Sequence, residues 1–78
     1  MSKVQILSID GSNKEVEAGD DITGIARKII GPTVRVTVSD NRLVMLVQKK
    51  PGLPNPLATS IAGREITGEA ILCERRFL

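Results

Sequence analysis

The residues in this chain best equipped for chemistry are cations. Arg35, Arg42, Lys49 and Lys50 lie on or beside the two strands expected in the middle of the chain, and Arg64 follows further along. An arginine fork matches two oxygens of a phosphate, and a lysine adds a point charge. Asn55 precedes Pro56 at an expected helix start, where free backbone N–H groups favour an anion. These six are the candidate ligand-binding residues. The chemistry they suggest is capture of a phosphate-bearing molecule. The charge distribution points the same way. The chain has 78 residues and a net charge of +2, yet residues 27–50 set six cations against Asp40 alone. Residues 1–26 are acidic, with Asp10, Glu15, Glu17, Asp20 and Asp21 against Lys3 and Lys14, and residues 51–78 balance.

Catalytic equipment is sparse. Histidine is absent, so the usual base at neutral pH is missing. Cys73 sits inside an apolar run and has no histidine to activate it; a buried structural thiol is expected. One cysteine and no histidine cannot supply a zinc site. Asp20 and Asp21 are accounted for by a helix start. No P-loop or Gly-x-Gly-x-x-Gly occurs, and the glycines stand singly at turns and caps. The expectation is therefore a protein that is not an enzyme and carries no cofactor. Recognition of single-stranded nucleic acid relies on aromatic platforms, and Phe77 is the one aromatic residue, so nucleic acid is an unfavoured partner. No apolar run approaches a membrane span, and no basic-then-apolar leader opens the chain.

These residues must be held by a single small domain over 1–78, with 41% hydrophobic and 26% charged residues. Val4 to Ile9 reads as a strand. Asp10-Gly11-Ser12-Asn13 makes a turn, and Lys14 to Ala18 returns as a second strand. Gly19-Asp20-Asp21 opens a helix. Its apolar face is Ile22, Ile25, Ala26, Ile29 and Ile30, and Gly31-Pro32 stops it. Thr33 to Val38 alternates, with the valines inward and Arg35 outward. Arg42 to Gln48 is apolar on both faces and should be central or should meet a second chain. Lys49 to Pro56 is irregular. Asn55-Pro56 starts a short helix over 56–62, ended by Gly63. Thr67 to Arg75 closes the chain as a strand. The expected fold class is α+β, in the order β-β-α-β-β-(short α)-β. Its sheet is mostly antiparallel, with the main helix packed on one face. The two-faced strands and the apolar Phe77-Leu78 end predict a homodimer or larger oligomer.

Two resemblances add to this. Val4-Gln5-Ile6, Asp10-Gly11, Val16-Glu17-Ala18-Gly19 and the helix from Asp21 to Ile29 resemble the hairpin-then-helix opening of the β-grasp superfamily. A sulfur-carrier role there needs a terminal Gly-Gly where this sequence reads Phe77-Leu78, so it does not carry over. The whole chain resembles a group of small phage and plasmid proteins of unknown function. The likeness rests on the Ile9-Asp10-Gly11 hairpin and the helix ending at Gly31, on Leu43-Val44-Met45-Leu46-Val47, and on Gly52-Leu53-Pro54-Asn55-Pro56-Leu57-Ala58-Thr59 followed by Ile66-Thr67-Gly68-Glu69-Ala70-Ile71-Leu72. It implies a phage-type protein in the cytoplasm of a bacterial host cell. By analogy the expected function is non-enzymatic binding, as a counter-defence sponge that sequesters a nucleotide-like signalling molecule. The alternatives are a protein–protein inhibitor docking on a host enzyme and a weak nucleic-acid-binding module.

Overall fold

The structure is a computed structural model and describes residues 3–17, 19, 21–50 and 52–77, the last without its side chain. It is α+β: one five-stranded antiparallel sheet with two α-helices. In chain order these are β1 (Lys3–Leu7), β2 (Asn13–Glu17), α1 (Ile22–Ile30), β3 (Thr33–Thr37), β4 (Leu43–Gln48), α2 (Pro56–Ala62) and β5 (Ala70–Glu74), followed by a 3-10 turn over Arg75–Phe77. Across the sheet the order is β2-β1-β5-β4-β3, so the last strand formed in the chain lies in the middle.

The elements start and stop on local chemistry. In the β1–β2 turn, the Asp10 carboxylate accepts from the Ser12 N–H at 2.8 Å. Hydrogen bonding from the Ser12 side chain first, and from its N–H second, holds the Asp10 carboxyl below its ordinary pKa. Asp21 caps α1 by accepting from the Gly24 N–H at 2.9 Å. Arg27 and Lys28 sit in its last turn, where they complement the helix dipole. α2 begins with Asn55 as cap and Pro56 in its first turn, and it ends at Gly63 in the left-handed region (φ 73°).

Register divides the side chains between two faces. Gln5↔Leu72, Leu72↔Met45 and Met45↔Val36 lie across one face. Ile6↔Ile71, Ile71↔Leu46 and Leu46↔Arg35 lie across the other. Ala58 and Ala62 of α2 cluster with Leu7, Met45, Val47, Ala70 and Leu72 on the first. Ile22, Ala26 and Ile30 of α1 cluster with Val4, Leu46, Ile71 and Cys73 on the second. β4 and β5 are apolar on both faces because each face has its own helix. Their composition therefore needs no second chain to explain it.

Several expectations are corrected in detail. β1 ends at Leu7, because Ser8 already bonds across the turn to Ser12. β5 begins at Ala70: Thr67 forms an isolated bridge with Pro54, and Gly68 takes a positive φ of 79°. Arg75 belongs to the 3-10 turn. Ile29 is 47% exposed, since α1 buries the i, i+4 line of Ile22, Ala26 and Ile30. Val34 is 44% exposed, because β3 is a margin of the sheet. Ala18, Asp20 and Leu78, together with the Phe77 side chain, lie outside the described residues.

Candidate functional site

The six expected ligand residues do not converge. Asn55 is wholly buried, and its amide is used by the fold. Its Nδ2 donates to the carbonyls of Leu7 and Gly68, both at 2.8 Å, and its Oδ1 accepts from the Ala58 N–H at 3.1 Å. It therefore ties the start of α2 to the end of β1 and to the approach to β5. This corrects its expected place among the ligand residues: buried and fully bonded, it presents nothing to a ligand. Lys49 and Lys50 are exposed beyond the end of β4, where the Lys49 N–H donates to the Pro32 carbonyl at 2.9 Å. Arg42 precedes the opposite end of β4. Arg64 is exposed just past the cap of α2. Arg35 is exposed on β3, across from Leu46 and so on the α1 face of the sheet.

Arg35 and Arg42 each share a cleft with Arg75, which, like Arg76, sequence reasoning left in the balanced final third. Arg75 and Arg76 follow β5 directly. The Arg75 N–H donates to the Arg42 carbonyl at 2.8 Å, which extends the β4–β5 ladder and fastens the 3-10 turn beside the β3–β4 turn. Two clefts open there. One, of about 500 Å³, is lined by Asn41, Arg42, Glu74, Arg75 and Arg76. The other, of about 280 Å³, is lined by Arg35, Val36, Thr37, Val44 and Arg75. Arg75 lines both, so four arginines line the two clefts at this end of the sheet. No local sequence signal marks this grouping. It follows from the pairing of Leu43 with Glu74 across the sheet.

The four arginines differ in their engagement. Arg42 forks onto Asp40, with Nε–Oδ1 and NH2–Oδ2 both at 3.3 Å. The Arg42 N–H also donates to the Asp40 carboxylate at 2.9 Å. That backbone bond first, and the guanidinium second, hold the Asp40 carboxyl below its ordinary pKa. The Asp40 carboxylate in turn raises the pKa of Arg42. Arg76 pairs with Glu74 at 2.8 Å. Both pairs are exposed and contribute little to stability. The side chains of Arg35 and Arg75 form no hydrogen bond or ion pair with the described residues, and both residues are exposed.

The remaining chemistry is inert. Cys73 is buried, and its Sγ lies 3.6 Å from the Val44 carbonyl. Burial pushes its pKa up, opposed in part by the charge of Arg35. Among the described residues, no group of three or more Cys, Asp or Glu side chains is placed to hold a metal ion. No helix among them is long and apolar enough to cross a membrane. The site can hold an anion by charge-assisted hydrogen bonds, and its carboxylates are already paired with arginines. Comparison of the chain with protein-family models, with curated sequences and with solved structures gave no match.

Proposed function

We infer that this protein binds, without converting, a phosphate-bearing, nucleotide-like molecule at the arginine end of its sheet. The observation that carries this reading is the Arg75 side chain. It is unpaired with the described residues and lines two clefts, one with Arg42 and the other with Arg35. Guanidinium forks bond phosphate oxygens in pairs, and such bonds are stronger than neutral ones. A cleft of about 500 Å³ is within the size range of small-molecule sites. With no histidine in the chain and Asp40 and Glu74 engaged by arginines, binding is favoured over turnover. In the phage-type setting that the sequence resemblance implies, a protein of this kind acts as a sponge for a signalling nucleotide inside a bacterial host.

The test is calorimetric titration with a panel of mono-, di- and cyclic nucleotides at two salt concentrations. Saturable binding of one member is expected, weakened about tenfold in Arg75→Ala without a change in melting temperature. Binding that survives in the Arg35→Ala/Arg75→Ala double variant would remove this site from consideration. A steep loss of binding to DNA or RNA with salt would favour the nucleic-acid alternative instead.

A further inference from the structure

The two margins of the sheet are β2 and β3. β2 reads Asn-Lys-Glu-Val-Glu, and charges of this kind guard a strand edge against pairing. β3 reads Thr33-Val34-Arg35-Val36-Thr37, with one charge and no proline. The hydrogen bond from the Lys49 N–H to the Pro32 carbonyl sets the phase of the β3–β4 ladder. Hydrogen-bonded and non-hydrogen-bonded pairs alternate in an antiparallel ladder. Val34 and Val36 therefore turn their backbone polar groups toward β4, and Thr33, Arg35 and Thr37 turn theirs to the open edge. No described strand takes up those groups.

The five residues of β3 also read the same in both directions. We propose that β3 pairs antiparallel with β3 of a second copy about a two-fold axis at Arg35, joining two sheets into one and bringing the partner's Arg35 into the anion site. In this register Arg35 faces the partner's Arg35, and Thr33 faces the partner's Thr37. All three outward residues of each strand find partners. Sliding by two residues leaves one outward residue unused on each strand. Val34, 44% exposed in the single chain, meets the partner's Val36 in a non-hydrogen-bonded pair, the closer kind, and leaves water. On the other face the two Arg35 side chains oppose each other. Like charges in that position weaken pairing, so an anion held by both arginines strengthens it. The anion-bridging half rests on the proposed phosphate site; the strand pairing stands without it.

Sedimentation equilibrium of the full chain, with and without inorganic pyrophosphate, tests both halves. The wild type is expected to dimerise, with a dissociation constant lowered roughly two- to fivefold by pyrophosphate. Val34→Lys places a charge against the partner's Val36. It should leave a monomer that melts at the temperature of wild type diluted below its dimer dissociation constant and that still binds pyrophosphate by calorimetry. Arg35→Ala should dimerise more tightly and no longer respond to pyrophosphate. Arg35→Cys should form an intermolecular disulfide on mild oxidation, because directly opposed Cα atoms about 5.5 Å apart suit that bond. Ser60→Cys, on the surface of α2, should not, and the buried Cys73 does not compete. A monomeric wild type, or a Val34→Lys dimer, overturns the strand pairing. Failure of Arg35→Cys to crosslink overturns the register. A dimer sensitive to Val34→Lys that neither binds nor responds to pyrophosphate overturns the anion bridge and the phosphate site, and leaves the pairing standing.

Discussion

Two polar regions of this molecule invite comparison. Around Asn55, a buried amide meets three backbone groups, and every hydrogen bond it makes is internal. At the opposite extreme, Arg35 and Arg75 are exposed, line open clefts, and have side chains not tied to the described residues. Both regions bring together parts of the chain that are distant in sequence. The first is finished and the second is open. A polar residue whose bonds are complete supports the fold, whereas clustered donors left exposed are available to a ligand.

The sharpest way to break this comparison is Asn55→Ala. It removes the cap of α2 and strands the Leu7 and Gly68 carbonyls in the interior. The expected loss is about 3 kcal/mol by urea denaturation. A change below about 0.5 kcal/mol would show that the hub is not structural. Gly68→Ala probes the same hub. Gly68 has φ 79° and packs against the Gln48 side chain, so an added Cβ should cost more than about 1 kcal/mol in the same assay. Arg75→Ala should do the reverse. Its stability should stay within about 0.5 kcal/mol of wild type, and nucleotide binding should weaken about tenfold by calorimetry.

The smallest effect concerns Asp40, whose carboxylate engages the Arg42 guanidinium. Its folded pKa lies below the ordinary aspartate value of 3.8, so its contribution to stability is full above that value and is lost as pH falls through the folded value. Asp10 behaves in the same way. Melting curves from pH 6 down to pH 2 should show a shallow loss confined to the acid end, reduced in Asp40→Asn. At neutral pH the same variant should bind the anion slightly more tightly, since Arg42 is released. Weaker binding would mean that Asp40 orients Arg42 for the ligand.

The second helix was legible residue by residue, because Asn55-Pro56 and Gly63 act on the turns next to them. The first helix was legible for the same reason, but its buried line was not. Ile29 fits a 3.6-residue period yet stands 47% exposed, because the angle at which a helix meets a sheet is set by the sheet. The alternation in β3 was also plain, but whether Val34 is covered depends on which strand lies at the margin. The candidate site was legible only in part. Arg35 and Arg42 were found from the basic middle stretch, and Arg75 and Arg76 were not. Asn55 was recognised as a cap, but its side-chain bonds to Leu7 and Gly68 had no signature in the sequence.

By itself, then, the amino-acid order determined the kinds of elements and the caps of both helices, along with the poverty of catalytic groups. Caps, turn residues and periodicity work over a few neighbouring positions, so they can be read locally. Only the tertiary structure decided which strand ends meet. Inserting β5 between β1 and β4 sets Glu74 beside Leu43 and thereby draws Arg75 to Arg42. Pairing of this kind depends on burying β4 and β5 beneath both helices at once, a property of the whole chain that no local window contains.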